Sequence, residues 1–360
     1  MTETVLVFPA GLPDGLKYRA LAAERGQRVV GASSLGFDPA SQVYDAWEYL
    51  PYVHEGHFAE ALKAVVQRQN ISAIYAPHEV VWGVISAAAQ QHFPEVRVMG
   101  ASPLRAKEKD YRALHDKAAA VAAGPDWLAL EGAARPRVSG ARLSGLLRTV
   151  DQIAGMTDDD KIRAIIEVFR YLPRGDIVEI GSWWGRSAAL MVLLSQYYAI
   201  GNLLCIDPWQ SENLAQGVAV LDQASAAMDT DEAFRIFQTN LVPLAGGRLN
   251  YFRGESQVAA QAYGAGFEVV SETFGTVAYD GRIALLHIDG NHSLDNVCGD
   301  ARVWTPHVMP GGVIIFDDYV WAFGDGPKCV GDAFLEAHAE RIAYSFVMGT
   351  ALFIQLKVSP

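Results

Sequence analysis

Two hydrophobic patterns alternate along the chain. Short apolar runs, closed by glycine, proline or acid, are separated by longer stretches in which apolar residues return every three or four positions. Runs of the first kind read as strands buried on both faces, and stretches of the second kind as amphipathic helices. The strand pattern appears at 5–8, 28–31, 73–76 and 96–99, then at 176–180, 202–206, 249–253, 283–288 and 313–316. Helices are predicted over 14–25 and over 57–69, where Phe58, Leu62, Val65 and Val66 share a face. The region 104–174 reads as mostly helical, with breaks at Gly124-Pro125 and Pro136. Its last helix presents Ile162, Ile165, Ile166, Phe169 and Tyr171, starts from Thr157 as cap with Asp158, Asp159 and Asp160 in the first turn, and ends at Pro173-Arg174-Gly175. Strands alternating with helices predict an α/β protein with parallel sheets. The expected domains are a smaller α/β lobe over 1–110, a helical connector over 111–157 and a larger α/β domain over 158–360.

Composition narrows the classes. Half the 360 residues are hydrophobic and 19% are charged, enough apolar material for two full cores. The net charge of −12 argues against nucleic acid as a partner. No apolar run approaches the roughly 20 residues that span a bilayer, and the start MTETVLVFPAGLPDG lacks the basic and apolar regions of a signal peptide, so a cytoplasmic protein without a membrane partner is expected. Cys205, Cys298 and Cys329 have no metal-finger spacing and are expected as free thiols, Cys205 as a small core residue.

The richest segment is 287–319, HIDGNHSLDNVCGDARVWTPHVMPGGVIIFDDY. The run 283–288 stops at Asp289-Gly-Asn-His292, and the run 313–316 stops at Asp317-Asp318. Leu294, Val297, Ala301 and Trp304 place a core-packed helix between them, and Pro310-Gly311-Gly312 turns the chain into the second strand. Such a crossover makes the strands parallel neighbours about 4.8 Å apart, with both acidic tips at one edge. Three carboxylates beside an imidazole fit a hard-cation site with a base next to it. Asp289 as a helix cap and His292 as a solvated turn residue is the plainer alternative.

Three further strand tips carry polar groups. DIVEIGSWWGRS, 176–187, is a strand, a glycine turn and the start of a helix. Gly181 and Gly185 allow close backbone approach, but their GxxxG spacing is not the GxGxxG of pyrophosphate cradles, and Glu179 suits a cofactor carrying positive charge. The strand 202–206 ends at Asp207-Pro208-Trp209, an acid placed to accept hydrogen bonds from ribose hydroxyls. The strand 249–253 ends at Gly254-Glu255-Ser256, within reach of an adenine.

VEIGSWWGRS and IDPW resemble the glycine-rich and ribose-acid motifs of class I S-adenosylmethionine-dependent methyltransferases. IDGNHSLDNVCGDARVWTPHVMPGGVIIFDDY is similar to the group containing macrocin-type sugar O-methyltransferases and the so-called cephalosporin hydroxylases. The resemblance implies a Rossmann-like seven-stranded sheet, mostly parallel, whose last strand is antiparallel in a hairpin at 343–347 and 351–356. It implies S-adenosylmethionine held by Glu179, Gly181, Ser182, Gly185, Ser187, Asp207, Trp209, Glu255, Ser256 and Asp289. It implies Mg2+ on Asp289, Asp317 and Asp318, with His292 as general base. At 317 relatives often carry the longer glutamate, which leaves open whether both acids of the pair reach the ion. The implied activity is Mg2+-dependent O-methylation of a small hydroxylated acceptor, a sugar or natural-product intermediate. N-methylation without metal catalysis and a non-catalytic binding or assembly role are the alternatives; an iron oxygenase would call for two histidines and one carboxylate. Lys328, Asp325, Trp321 and Phe323, in the loop beyond Tyr319, are candidates for the acceptor side or for plain surface structure.

In the first 110 residues, VLVFPAG, VVGASS and IYAPHE resemble the lobe that precedes ATP-grasp domains, although no ATP-grasp domain follows. A scaffold, homo-oligomerisation or acceptor-binding role is expected for this lobe, with His78 and Glu79 as ligand contacts or solvated turn residues.

Overall fold

The computed structural model describes residues 3–100, 102–125 and 128–358 and forms two compact units, 1–113 and 114–360.

In the first unit, β1 (Thr4–Val7), β2 (Arg28–Ser33), β3 (Ala46–Tyr49), β4 (Ala73–Tyr75) and β5 (Arg97–Val98) form a parallel sheet in the order β3-β2-β1-β4-β5. Helices α1 (Pro13–Glu24), α2 (Phe58–Gln69) and α3 (Glu79–His92) link them. The predicted face of α2 is buried at Phe58, Leu62, Val65 and Val66. β3 and α3 are additions to the sequence reading. The AWEY of β3 is a half-buried edge strand without the apolar run that marks a central one. Helix α4 (Pro103–Ala123) crosses the boundary between the units.

The second unit holds α5 (Gly140–Asp151) and α6 (Asp159–Val168), then β6 (Asp176–Ile180), α7 (Arg186–Tyr198) and β7 (Leu203–Asp207). The short helices α8 (Ser211–Leu214) and α9 (Ala219–Ser225) precede α10 (Thr230–Ala245), β8 (Leu249–Arg253) and α11 (Ser256–Ala262). A hairpin of β9 (Phe267–Ser271) and β10 (Gly275–Tyr279) follows. The chain ends with β11 (Ile283–Ile288), α12 (Leu294–Trp304), β12 (Val308–Phe316), α13 (Gly326–Ala337), β13 (Ile342–Met348) and β14 (Ala351–Leu356). The sheet order is β13-β14-β12-β11-β6-β7-β8, and β14 alone runs against its neighbours. This is the expected seven-stranded architecture, and it brings the C-terminal tips of β6, β7, β8, β11 and β12 to one edge.

Alternation along the strands sorts the two cores. Ile177, Leu203, Cys205, Leu285, Val313 and Ile315 face one layer with α5, α6 and α7. Val178, Ile180, Leu204, Ile206, Leu286, Ile288, Ile314 and Phe316 face the other with α12 and α13. The segment between α4 and α5 is tied to the sheet by Gln355, which accepts from the Glu131 amide at 2.7 Å and donates to its carbonyl at 2.9 Å. Two local expectations shift. The cap of α6 is Asp158 rather than Thr157, its carboxylate accepting from Lys161 N at 2.8 Å. In α12, Val297, Ala301 and Trp304 are buried, whereas Leu294 is exposed because it lies in the first turn, beyond the packed stripe.

Trp304 is fully buried, packs on the Tyr263 ring at 5.2 Å and donates from Nε1 to the Ser256 carbonyl. Trp304→Ala should cost about 3–5 kcal/mol in urea unfolding; a loss below about 1 kcal/mol would mean the helix does not rely on this anchor.

Candidate active site at the strand tips

At the tip of β6, Gly181 has φ +84°, and a Cβ there would lie 2.0 Å from the Asp289 carbonyl oxygen. The loops after β6 and β11 therefore cross backbone to backbone, which only glycine permits. Gly185, φ +85°, opens α7 against Leu241. Above this crossing is a cavity of about 390 Å³, within the usual range for small-molecule sites. Gly181, Ser182, Gly185, Ser187, Asp207, Glu255, Ser256, Asp289, His292 and Asp318 line it, as do Lys161, Arg186 and Asp300. The Ser182 hydroxyl is buried and has no protein partner. Leu214, Gln216 and Met228, from the α8–α9 region, form another wall, joined to the site where Asn291 Nδ2 donates to the Asn213 and Ala215 carbonyls.

Asp207 holds the loop together. Its two oxygens accept from Trp183 N at 2.9 Å and Trp209 N at 2.7 Å, while Trp209 Nε1 donates back to the Trp183 carbonyl. Burial pushes the Asp207 carboxyl up to about 6. Asp300 is likewise raised to about 6 by burial and accepts from the Ser256 hydroxyl. Five acids face the cavity against Lys161 and Arg186, and Arg186 is spent on the Val150, Ile153 and Thr157 carbonyls and Asp151. This wall suits a ligand carrying positive charge.

Beneath the acidic tips runs a row of buried charges. Register places His287 beside Glu179, and both side chains are fully buried on the face that meets α6. His287 donates from Nδ1 to Glu179 at 3.2 Å and from Nε2 to Asp317 at 2.9 Å. Lys161 of α6 donates to both Asp317 oxygens at 2.7 Å. Burial alone would lower the imidazolium, but Asp317 and Glu179 outweigh it and push His287 up to about 10. Burial also opposes the charges of Asp317 and Lys161. His287 and Lys161 nevertheless hold the Asp317 carboxyl well below the usual range, and Asp317, Asp289 and Asp318 keep the Lys161 ammonium above its ordinary value.

Over this row, His292 lies between two carboxylates, Nε2 3.6 Å from Asp289 and Nδ1 3.6 Å from Asp318. Neither ring nitrogen has a hydrogen-bond partner, and Trp321 meets the ring edge-on at 4.7 Å. Burial and the neighbouring Asp317 charge push Asp289 up to about 6.

Three expected site residues stand elsewhere. Glu179 does not line the cavity; the pleat turns it into the sheet interior, against His287 and Cys205. Trp209 is buried among Phe234, Phe237 and Tyr251 and braces the loop from behind. Asp317 is committed to Lys161 and His287, so the three-carboxylate magnesium set on Asp289, Asp317 and Asp318 does not fit these side chains. One nitrogen of His287 and one oxygen each of Asp289 and Asp317 lie within 4.8 Å of one another, but His287 and Asp317 are already paired. Lys161, His287 and Asp300 were missed in the sequence. His287 left a signal, as a titratable residue inside an apolar run must find a partner; Lys161 left none, because a helix edge can place a lysine in solvent equally well. Lys328 lies in α13 rather than in the loop after β12 and pairs with Asp332 at 2.6 Å, while Phe323, in the loop, is exposed. In the first unit, Glu79 accepts from the Ser102 hydroxyl and Leu104 N, so it caps α4.

Residues 178–319 match a family model described as a methyltransferase domain. That span carries most of the strand tips above. No curated protein matches the chain. Among solved structures, the O-methyltransferase NovP is 18% identical, with 62% of this chain and 83% of that chain covered and a TM-score of 0.37. CalS11, a TDP-rhamnose 3'-O-methyltransferase of calicheamicin biosynthesis, is 12% identical, with 54% and 77% covered and a TM-score of 0.36. MycE, a methyltransferase of the mycinamycin pathway solved with Mg and SAH, is 15% identical, with 51% and 46% covered and a TM-score of 0.30. Likenesses this distant carry no argument about substrate or metal.

His287 titrates higher folded than its ordinary 6.5, so its stabilising contribution is complete below about pH 6.5 and is lost as pH rises toward 10. Denaturant unfolding from pH 6.5 to 10 should show stability falling by up to about 1.4 kcal/mol per pH unit from this one proton. A slope that persists in His287→Gln would assign it to other groups.

Proposed function

We propose that the chain transfers a methyl group from S-adenosylmethionine to a hydroxyl of a small acceptor, a sugar or natural-product intermediate, with His292 as general base. The observation that supports this reading is the placement of His292, an unbonded imidazole at the cavity wall between Asp289 and Asp318.

The cavity fits the cofactor's chemistry. Its volume, acidic wall and free Ser182 hydroxyl suit a cationic, polar ligand, and the Gly181–Asp289 crossing lets that ligand approach the backbone. When bound, S-adenosylmethionine supplies a methyl group on a positively charged sulfur that departs as a neutral thioether. His292 accepts the acceptor's hydroxyl proton at a ring nitrogen, and the oxygen bonds to the methyl carbon. Asp289 and Asp318, each 3.6 Å from a ring nitrogen, stabilise the imidazolium so formed by their charge. Asp207 keeps the glycine loop folded through Trp183 N and has lone pairs left for a ribose. Magnesium has no step in this scheme, since Asp317 is already paired.

S-adenosylhomocysteine should bind the full chain in calorimetry, and Gly181→Ala should abolish that binding. Failure of the wild type to bind would end this proposal. Across a panel of hydroxylated acceptors, His292→Ala should lower kcat about 10²–10⁴-fold with cofactor affinity little changed. Burial opposes the His292 charge, but Asp289 outweighs it and raises the group, so the acidic limb of kcat/KM should lie above pH 6.5; a limb below 6.5 would point to another base.

A further inference from the structure

We infer that Lys161 is the resident cation of this acidic site, holding at Asp317 the place that a divalent metal would need. The inference deepens the methyl-transfer reading by specifying how the acid cluster is neutralised, but the ion pair itself stands independently of that reading.

The argument is one of acceptor capacity. Each carboxylate oxygen offers about two lone-pair sites. Asp317 Oδ1 accepts from Lys161 Nζ at 2.7 Å and from Asp318 N at 2.8 Å, with Thr350 Oγ1 at 3.5 Å. Oδ2 accepts from Lys161 Nζ at 2.7 Å and from His287 Nε2 at 2.9 Å. Asp317 and His287 are fully buried, and the Lys161 side chain is 3% exposed. An ion seeking Asp317 must displace a buried ammonium or imidazolium, or sit beside it in a medium that screens poorly, and either is strongly unfavourable. The oxygens outside this row, on Asp289 and Asp318, flank His292.

The same pair does positioning work. By fixing Asp317, Lys161 fixes the acceptor of the Asp318 amide, and Asp318 sits in the left-handed region at φ +49°, a conformation that needs such support. Asp318 in turn faces His292 Nδ1. Lys161 thus orients the acid beside the proposed base through Asp317, without touching the acceptor, and methyl transfer needs no added divalent cation.

The test is a Mn2+ titration of the full chain, read by calorimetry and by loss of the free-ion electron paramagnetic resonance signal. Wild type should bind no tighter than millimolar. Lys161→Met frees Asp317 and should tighten Mn2+ binding at least tenfold, and adding Asp317→Asn should reverse the gain. Lys161→Arg, which keeps the charge, should behave as wild type. Micromolar binding by wild type that Asp317→Asn abolishes overturns the inference; so does equally weak binding by wild type and a folded Lys161→Met. If Lys161→Met does not fold, wild-type turnover decides: it should be unchanged by EDTA, and full loss that Mg2+ restores overturns the inference. The Mn2+ arm reads the ion pair alone, whereas absent S-adenosylhomocysteine binding would sink only the methyl-transfer reading.

Discussion

The row Lys161–Asp317–His287–Glu179 is the constraint on which the site depends. Four ionisable side chains lie in the sheet interior or at its edge, almost without solvent. Taking such charges out of water is costly, and their mutual attraction offsets this only because each partner is hydrogen-bonded to the next. Removing one member would strand another, at about 3–5 kcal/mol for a broken buried pair. The row therefore fixes α6 against β6, β11 and β12 in one arrangement. Every tip residue that faces the cavity inherits its position from that arrangement.

Above the row, geometry comes from the backbone. The Gly181–Asp289 crossing brings two strand-tip loops within contact, and Asp207 binds the glycine turn to the tip of β7 through the Trp183 amide while closing its own loop on the Trp209 amide. These parts are strand ends of a buried parallel sheet, held by the backbone contacts named above. The wall across the cavity is different in kind, made of short helices and loops between β7 and α10 and joined through Asn291. Loops of this kind carry acceptor choice.

How legible each element was follows from its burial. The central strands β6, β7, β11 and β12 announce themselves because both faces are covered, so nearly every position must be apolar. β3 and the β9–β10 hairpin do not, since their residues are half-buried or alternate with solvent. α3 is apolar over much of its length and lacks the polar stripe that marks a surface helix. In the site, tip residues that follow a strand directly, such as Asp207, Asp289 and His292, were found because strand ends fix the edge at which they lie. Glu179 was misplaced because it precedes the tip by two residues, and the pleat sends its side chain into the sheet.

The sequence by itself determined the α/β class and the gathering of acids and His292 at one edge, through local periodicity and the rule that parallel strands share a C-terminal edge. The seven-stranded sheet with its antiparallel last strand was legible only through the resemblance of its motifs to a known family. Only the tertiary structure decided the partners of those acids. Lys161 is far from Asp317 along the chain, and nothing local says that a lysine on a helix edge will be buried against a strand tip. Pairing of buried charges is a property of packing between distant elements. It left Asp289 and Asp318 beside His292 and removed Asp317 from the set that could have held a metal.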